Sequence, residues 1–406
     1  MPQRLLSREF TRWAAVVIFT LAILFTIDRL TNSVIDLAWA EWDFNHYILM
    51  AERGLSDNPG LVAPYAYRPL TPLLAGWMMR TFDFSTWRAF KLIAWAGAAL
   101  NLITLYWLLR LAGRRFSTCL FVIGLIALGH YQVKFLLFDP FRPDHLAFPL
   151  INLAYLALWN GLFLPAALVI SLGLLSREFL LLPAGAHLAA AWQKKTEWLP
   201  AALVAAIALA VLVFTRRLIP VSGHEDYVSF FSFGELWRAL VSVPLNWRRT
   251  LNLLFCLLAY LLPLGMLFTK DRWRKMWSGL GERRLWLAAH AALTLLLALY
   301  GGTDLARFVV YLYLPLAVAL GGILDDDEVS TPEKVLILVA VIIFNRIPWS
   351  YPTASLDAYL DFFGGYHDRL NLTSALRWME LTGWLAAGAA LRMWLRRGSK
   401  TGLNKK

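Results

Sequence analysis

The sequence predicts an all-α integral membrane protein, a polytopic bundle of about 11–13 transmembrane helices. Hydrophobic residues make up 59% of its 406 residues and the mean hydropathy is +0.55, far more apolar than a soluble protein. Apolar runs of roughly membrane-spanning length recur from one end of the chain to the other. Lys and Arg residues concentrate in alternate connections between these runs, which is typical of a multi-pass membrane protein.

The candidate spans are apolar segments separated by polar or charged connections. They lie at about 12–28, 88–109, 116–137, 145–159, 161–175, 178–192, 198–214, 251–268, 285–300, 306–324, 335–347 and 375–395. Arg4, Arg8 and Arg12 precede the first span, which indicates an uncleaved segment with a cytoplasmic N-terminus. Residues 1–406 are therefore predicted to form a single transmembrane domain.

Alternation of these spans from an inside N-terminus gives a clear charge bias. It places 21 of the 39 Lys and Arg, but 9 of the 27 Asp and Glu, on the inside, so the net charge is +12 inside and 0 outside. The bias predicts cytoplasmic termini, with 396–406 as a basic cytoplasmic tail, and we expect a bacterial inner membrane. Because topology accounts for the basic excess, we expect membrane lipids and no nucleic acid among the partners.

Three longer segments fall outside in this topology. They are 29–87, 215–250 and 348–374. Within the first, Leu70–Met79 is apolar but short, and Arg80 closes it. We interpret it as a helix that lies on, or dips into, the outer face, so 29–87 is an external loop with juxtamembrane or re-entrant helices. The alternative keeps it as a span and removes a later one.

The first external loop carries two motifs. In Trp42-Asp43-Phe44-Asn45-His46-Tyr47 a carboxylate stands among aromatic residues, and in Pro64-Tyr65-Ala66-Tyr67-Arg68-Pro69 an Arg is flanked by prolines. An Arg in a proline-stiffened loop suits the binding of an anion. The structural alternatives are an N-cap role for Asp43 and an interface position for Arg68, with its charge reaching towards water.

Further charged residues from distant parts of the chain fall on the same outer side. They are Asp139, Asp144, Arg177, Glu178, Asp304 and Arg307. The spans at 145–159 and 161–175 are about 22 Å long against a hydrocarbon core of about 30 Å. Arg177 and Glu178, which follow the second span, should therefore lie below the surface and line a cavity.

These charges also have simpler structural explanations. Asp144 stands at the N-cap position of the helix predicted to begin at His145. Arg177 and Glu178 are adjacent and could neutralise each other. Asp304 and Arg307 are one helical turn apart and could pair internally.

The order of a first span, an aromatic-flanked Asp43 and the Tyr67-Arg68-Pro69 motif resembles the first external loop of the GT-C class of polytopic glycosyltransferases. That class takes sugars from polyprenyl-phosphate lipids. The resemblance implies a GT-C-like fold and transfer of a sugar, with inversion, to a glycan, lipid or protein acceptor on the external (periplasmic) face.

The resemblance also implies roles for individual residues. Asp43 would be the general base, and a second acid, Asp144 or else Asp139, would approach the site. Residues that would contact the donor phosphate or substrate are Arg68, Tyr67, Arg177, Glu178, Asp304 and Arg307. The spacing Glu41-Trp42-Asp43 is not an Asp-x-Asp pair, so participation of a divalent cation stays open and no cofactor is implied with certainty.

Two other functions are compatible with the sequence. One is a transporter or flippase of a lipid-linked saccharide, and the other is a non-catalytic subunit of a polysaccharide assembly system. A transporter is expected to contain an inverted internal repeat with Gly/Pro-broken helices at matching positions, and the sequence has no such pattern. A non-catalytic subunit would tolerate the loss of Asp43, whereas an enzyme would not.

Overall fold

The computed structural model describes most of the first 345 residues and a short stretch near the C-terminus. The described residues are 2–31, 43–56, 58, 61–192, 197–224, 237, 241–242, 244–265, 267, 269–300, 305–325, 329–345, 378–379, 381–390 and 393. The predicted segments 348–374 and 396–406 lie outside these residues.

The described residues are almost entirely helical. The helices are α1 (Pro2–Arg29), α2 (Asp43–Arg53), α3 (Leu70–Phe82), α4 (Thr86–Leu111), α5 (Phe116–Ala127), α6 (Phe135–Phe138), α7 (Asp144–Trp159), α8 (Phe163–Leu174), α9 (Leu181–Ala191), α10 (Trp198–Leu218), α11 (Trp247–Gly265), α12 (Lys270–Gly279), α13 (Arg283–Tyr300), α14 (Leu305–Val309), α15 (Tyr313–Leu324), α16 (Thr331–Phe344) and α17 (Leu381–Ala390). Tight 3-10 turns occur at Tyr65–Tyr67, Glu178–Leu180 and Val310–Leu312, and a π-helical turn at His130–Lys134.

Several of these helices are suited to a membrane. Among the described residues, four are long and apolar enough to cross one: Phe10–Arg29, Thr86–Leu111, Trp198–Leu218 and the continuous stretch Leu305–Leu324. A fifth is added if the bent pair Phe116–Ala127 and Tyr131–Phe138 forms one span. The fold is therefore that of an all-α protein fit for a membrane, and the predicted number of crossings stays a prediction.

Every predicted span contains a helix, but the one at 116–137 is not a single straight helix. The chain bends by 74° between α5 and the following helix. Gln132 and Lys134 in this stretch are almost completely buried, and Gln132 accepts a hydrogen bond from Asn101 on α4. Polar side chains in a membrane segment must face the interior of the bundle. The bend turns this stretch towards the other helices.

The segment Leu70–Met79 forms the greater part of α3, which has 13 residues. At about 20 Å, a helix of this length is too short to cross a bilayer of about 30 Å by itself. The helix packs against α2 and α4. At Gly76 a side chain would overlap the Ala51 carbonyl oxygen of α2, so the two helices touch through their backbones.

Two helices form the centre of the bundle. Within the candidate spans, 89% of the residues of Leu305–Leu324 and 61% of those of Thr86–Leu111 are buried, against 22% for Phe10–Arg29 and 17% for Trp198–Leu218. The last two therefore lie at the periphery. Where α4 packs on α7, Gly97 leaves no room for a side chain beside the His145 carbonyl oxygen.

Uncharged polar side chains hold the central helices together. Asn152 of α7 donates to the Asn101 side chain of α4 at 2.9 Å, and Tyr313 of α15 donates to Asn152 Oδ1 at 2.6 Å. Interhelical hydrogen bonds between such side chains stabilise helix packing in a membrane by about 0.6–2 kcal/mol each. This network ties α7 to α4 and to the start of α15.

A short parallel pairing joins two connections that are far apart in sequence. Val62–Ala63 (β1) pairs with Gly223–His224 (β2), and the Ser222 amide donates to the Leu61 carbonyl at 2.8 Å. The segment after α10 is thereby held beside the loop that carries Arg68.

Candidate functional site

Four segments that are far apart in the sequence meet at one end of the bundle. They contribute five charged residues, which we call the arginine cluster: Arg68, Asp144, Arg177, Glu178 and Arg307. Each lies at the end of a helix or in the loop before one. Of the residues expected from the sequence to line one cavity, the structure brings Asp144, Arg177, Glu178 and Arg307 together.

The inner part of the cluster is a fully buried ion pair between Arg177 and Asp144. Arg177 donates from Nε to Asp144 Oδ1 at 3.0 Å and from Nη2 to Oδ2 at 2.7 Å. Tyr311 donates a further hydrogen bond to Oδ1 at 2.7 Å. Both charged side chains are 1% exposed. Two parallel bonds to a carboxylate are the strongest geometry available to an arginine, so this pair is firmly held.

The outer part is a looser and more accessible pair. Arg68 Nη2 donates to both oxygens of Glu178, at 3.2 and 3.3 Å, and Nη1 donates to the Tyr47 hydroxyl at 3.3 Å. The Arg68 and Glu178 side chains are 11% and 20% exposed. Arg68 Nε is buried and has no hydrogen-bond partner among the described residues. Arg68 therefore retains donor capacity.

Backbone contacts explain why the loops meet. The Leu70 amide donates to the Leu175 carbonyl at 2.9 Å, which joins the Arg68 loop to the end of α8. Ser176 Oγ donates to the Pro143 carbonyl at 2.6 Å, which joins the same place to the start of α7. These two bonds bring Arg68, Arg177 and Asp144 together.

Arg177 and Glu178 have different partners from those that their adjacency in the sequence suggests. The two neighbours do not neutralise each other, because Arg177 binds Asp144 and Glu178 binds Arg68. Arg177 has an extended backbone, with φ −156° and ψ 143°, just before the 3-10 turn that starts at Glu178. In extended backbone successive side chains point to opposite sides, which separates the two charges.

Two more arginines lie near these two ion pairs: Arg307, the fifth member of the cluster, and Arg216. Arg307 lies in α14, one helical turn before Tyr311, and acts electrostatically on Asp144. Arg216, near the end of α10, lies with its guanidinium 5.7 Å from the centre of the Tyr67 ring and acts on Glu178. Among the described residues, four arginines thus face two carboxylates, a local excess of two positive charges.

This charge balance controls the ionisation of both pairs. Burial alone would raise the pKa of Asp144, but Arg177 and Arg307 outweigh it and hold the pKa well below its ordinary value. Burial alone would lower the pKa of Arg68, but the negative charge of Glu178 outweighs it and raises the pKa. Asp144 is thus a fixed anion bound by Arg177, a state suited to positioning and unsuited to accepting a proton.

The other predicted site residues have separate positions. Asp139 accepts a hydrogen bond from Arg142 Nε at 2.6 Å, and both side chains are buried. Asp43 is the first residue of α2, four residues before Tyr47, and its side chain lies outside the described part of the chain. Asp304 also lies outside it. Tyr67 is buried beneath Arg216.

Sequence reasoning missed two contributors to the site, Tyr311 and Arg216, and named Tyr47 only as an aromatic neighbour of Asp43, without its contact with Arg68. Tyr311 lies in an apolar run and stacks on Phe179 with ring centres 3.9 Å apart. The only signal in the sequence is that a buried tyrosine hydroxyl needs a partner. Arg216 falls in the predicted external segment 215–250, and nothing in its local sequence indicates a role.

No group of three or more His, Cys, Asp or Glu side chains that could hold a metal ion occurs among the described residues. Comparison of the chain with protein-family models, with curated proteins and with solved structures gave no match.

Proposed function

We propose that this protein is a membrane glycosyltransferase of the GT-C type, which transfers a sugar from a polyprenyl-phosphate donor to a glycan, lipid or protein acceptor. The observation that carries the proposal is the arginine cluster, with its excess of positive charge at one end of an apolar helical bundle. A lipid phosphate presents its charge at the membrane surface, where such a cluster can meet it.

The chemistry of transfer requires two groups. A carboxylate accepts the proton of the acceptor hydroxyl, and a cation stabilises the phosphate that leaves the sugar. Arg68 and Arg307 are the candidates for the cation, because Arg177 is already held by Asp144 on two sides. Phosphate serves as the leaving group, so the reaction needs no nucleotide in this site.

Asp43 is our candidate for the base. It starts α2, the helix whose Tyr47 contacts Arg68, so its backbone lies about one helical turn from the cluster. Asp144 is a poor candidate because Arg177 and Tyr311 occupy both of its oxygens. We therefore assign Asp144 a structural part in the site, as the anion that fixes Arg177.

The finer membrane arrangement belongs to the same proposal. It comprises 11–13 crossings in a GT-C-like fold, cytoplasmic termini and a site on the external face. One observation supports it: the residues of the arginine cluster, which are predicted to be external, lie together at one end of the bundle. At the other end α12 carries Lys270, Arg274 and Lys275, which were predicted to be cytoplasmic.

Replacement of Asp43 by Asn tests the proposal. The variant keeps the size of the side chain but removes the proton acceptor, so transfer from a radiolabelled polyprenyl-phosphate sugar to glycan and lipid should fall about 100- to 10,000-fold. Membranes with matched protein levels provide the assay. Glu52→Gln is the control, because Glu52 is an exposed carboxylate on the same helix. Undiminished transfer by Asp43→Asn would remove the catalytic role and favour a transporter or an assembly subunit.

A further inference from the structure

The two ion pairs of the arginine cluster differ in how easily they can open. The Arg177–Asp144 pair is 1% exposed on both sides and has a third bond from Tyr311. The Arg68 and Glu178 side chains are 11% and 20% exposed. Their hydrogen bonds of 3.2 and 3.3 Å are longer than the roughly 2.7–2.9 Å that is usual between charged groups. A molecule that reaches the cluster therefore meets the weaker pair first.

Arg68 is not fully used by its present partners. Its buried Nε has no hydrogen-bond partner among the described residues, and its contact with the Tyr47 hydroxyl is 3.3 Å long. A buried donor without a partner is unfavourable, because it has lost its hydrogen bonds to water and gained none in the protein. A tetrahedral phosphate offers more acceptor oxygens than one carboxylate, and it could bind Nε and Nη2 together.

We propose that Glu178 is a displaceable placeholder, whose carboxylate binds Arg68 while the site is empty and gives way to the phosphate group of a lipid phosphate. This inference rests on the proposed function and adds a regulatory step to the same site. Glu178 opens a single 3-10 turn and is the more exposed member of its pair, so its side chain has room to leave.

The need to displace Glu178 sets the affinity of the site for phosphate and protects the site from other anions. The phosphate must compete with Glu178, so the apparent affinity equals the intrinsic affinity reduced by the fraction of Arg68 that is free. Anions that make fewer hydrogen bonds to Arg68 than the lipid phosphate makes compete poorly. Once displaced, the Glu178 carboxylate stands near Arg216, whose charge already acts on it.

The chain contains a matched control for this pair. Glu333 binds Arg272 through bonds of 3.3 Å, with side chains 23% and 10% exposed, at the opposite end of the bundle. The two pairs thus agree in residue type, bond length and exposure. A general effect of removing a half-buried glutamate charge would appear in both.

The test measures binding to the purified full-length chain in a neutral detergent. The probes are farnesyl phosphate, farnesol and inorganic phosphate, and the variants are Glu178→Gln, Glu333→Gln and Arg68→Gln. We expect Glu178→Gln to bind farnesyl phosphate about two- to tenfold more tightly, because the competing ion pair is gone. Glu333→Gln should bind like the wild type, and Arg68→Gln at least about tenfold more weakly.

Each other outcome has a distinct meaning. Weaker or unchanged binding of farnesyl phosphate by Glu178→Gln would overturn the placeholder role while leaving the phosphate site intact. Equal binding of farnesol and farnesyl phosphate by the wild type would overturn the proposed function as well. Inorganic phosphate that binds as tightly as farnesyl phosphate would overturn the assignment to a lipid. Should Glu178→Gln fail to fold, Glu178→Asp provides a second variant. It keeps the carboxylate but shortens the side chain by one methylene group, which moves the charge away from Arg68, so it should also bind farnesyl phosphate more tightly.

Discussion

Asp144 shows how one buried carboxylate can organise a site without reacting in it. Arg177 and Tyr311 together donate three hydrogen bonds to it, and all three side chains are buried. A buried pair of this kind contributes little net stability over an apolar pair, but loss of one partner is costly because a charge is left behind. The fixed pair holds Arg177 in place beside Arg68.

Asp144→Asn should therefore be strongly destabilising, by about 3–5 kcal/mol, because Arg177 keeps its charge and loses its counter-ion. Thermal unfolding of the purified protein in detergent provides the measurement. Glu178→Gln should lower the melting temperature much less, since its pair is partly exposed. The double variant Asp144→Leu/Arg177→Met should recover part of the loss. Equal melting temperatures for Asp144→Asn and Glu178→Gln would contradict this ranking.

The residues of the cluster were predictable and their partners were not. Short spans and unmatched charges in the sequence indicate that Asp144, Arg177 and Glu178 lie below the membrane surface. The partners depend on the extended backbone at Arg177 and on the Leu70–Leu175 and Ser176–Pro143 bonds. Those features arise from tertiary packing, which a local pattern does not contain.

Helix α4 is shaped for close packing by its small residues. Ala94, Gly97, Ala98 and Asn101 recur at helical spacing and are all buried. Gly97 lets α4 approach the first turn of α7, where Asp144 and His145 stand. The helix at 88–109 was predictable from its apolar length, and its inner face from these small residues. The bend after α5 was not predictable from the sequence. Gln132 and Lys134 interrupt the apolar run, but they do not indicate in which direction the chain turns.

Gly97→Ala should destabilise the protein by about 1–3 kcal/mol, since the added methyl group would overlap the His145 carbonyl oxygen and force α4 from α7. The melting temperature and the yield of monodisperse protein provide the measurement. Gly265→Ala on α11 is the control, because a methyl group there meets open space and alanine favours a helix. A stable Gly97→Ala with normal yield would show that the contact is not tight.

The distribution of charge over the whole molecule predicts its orientation. The arginine cluster lies at the start of α7 and near the start of α14, whereas α12 and the capping box of α16, Ser330 with Glu333, lie at the opposite end. Arg272 of α12 and Glu333 join these two elements. The positive-inside rule then assigns the α12 end to the cytoplasm.

Single cysteines can test this orientation in intact cells. Cys119 and Cys256 are both buried, so the natural chain gives a low background. Ser56→Cys should react with a membrane-impermeant thiol reagent, and Asn160→Cys, after α7, should react only in opened cells; both positions are exposed. Phe141, in the second loop, is unsuitable because it is buried. Reaction at both positions in intact cells would mean that α7 does not carry the chain across.

In the proposed topology, synthesis of the chain brings Arg177 into the bilayer behind a helix of only 12 residues, α8, which is about 18 Å long. The ribosome makes Asp144 33 residues earlier, so the counter-ion of Arg177 already exists when the arginine emerges. Tyr311 is made 167 residues after Asp144 and completes the set of hydrogen bonds last. We therefore expect α7 and α8 to enter the membrane as a pair with their charges already neutralised, beside α4, which is made earlier, and before the stretch that carries Tyr311 exists.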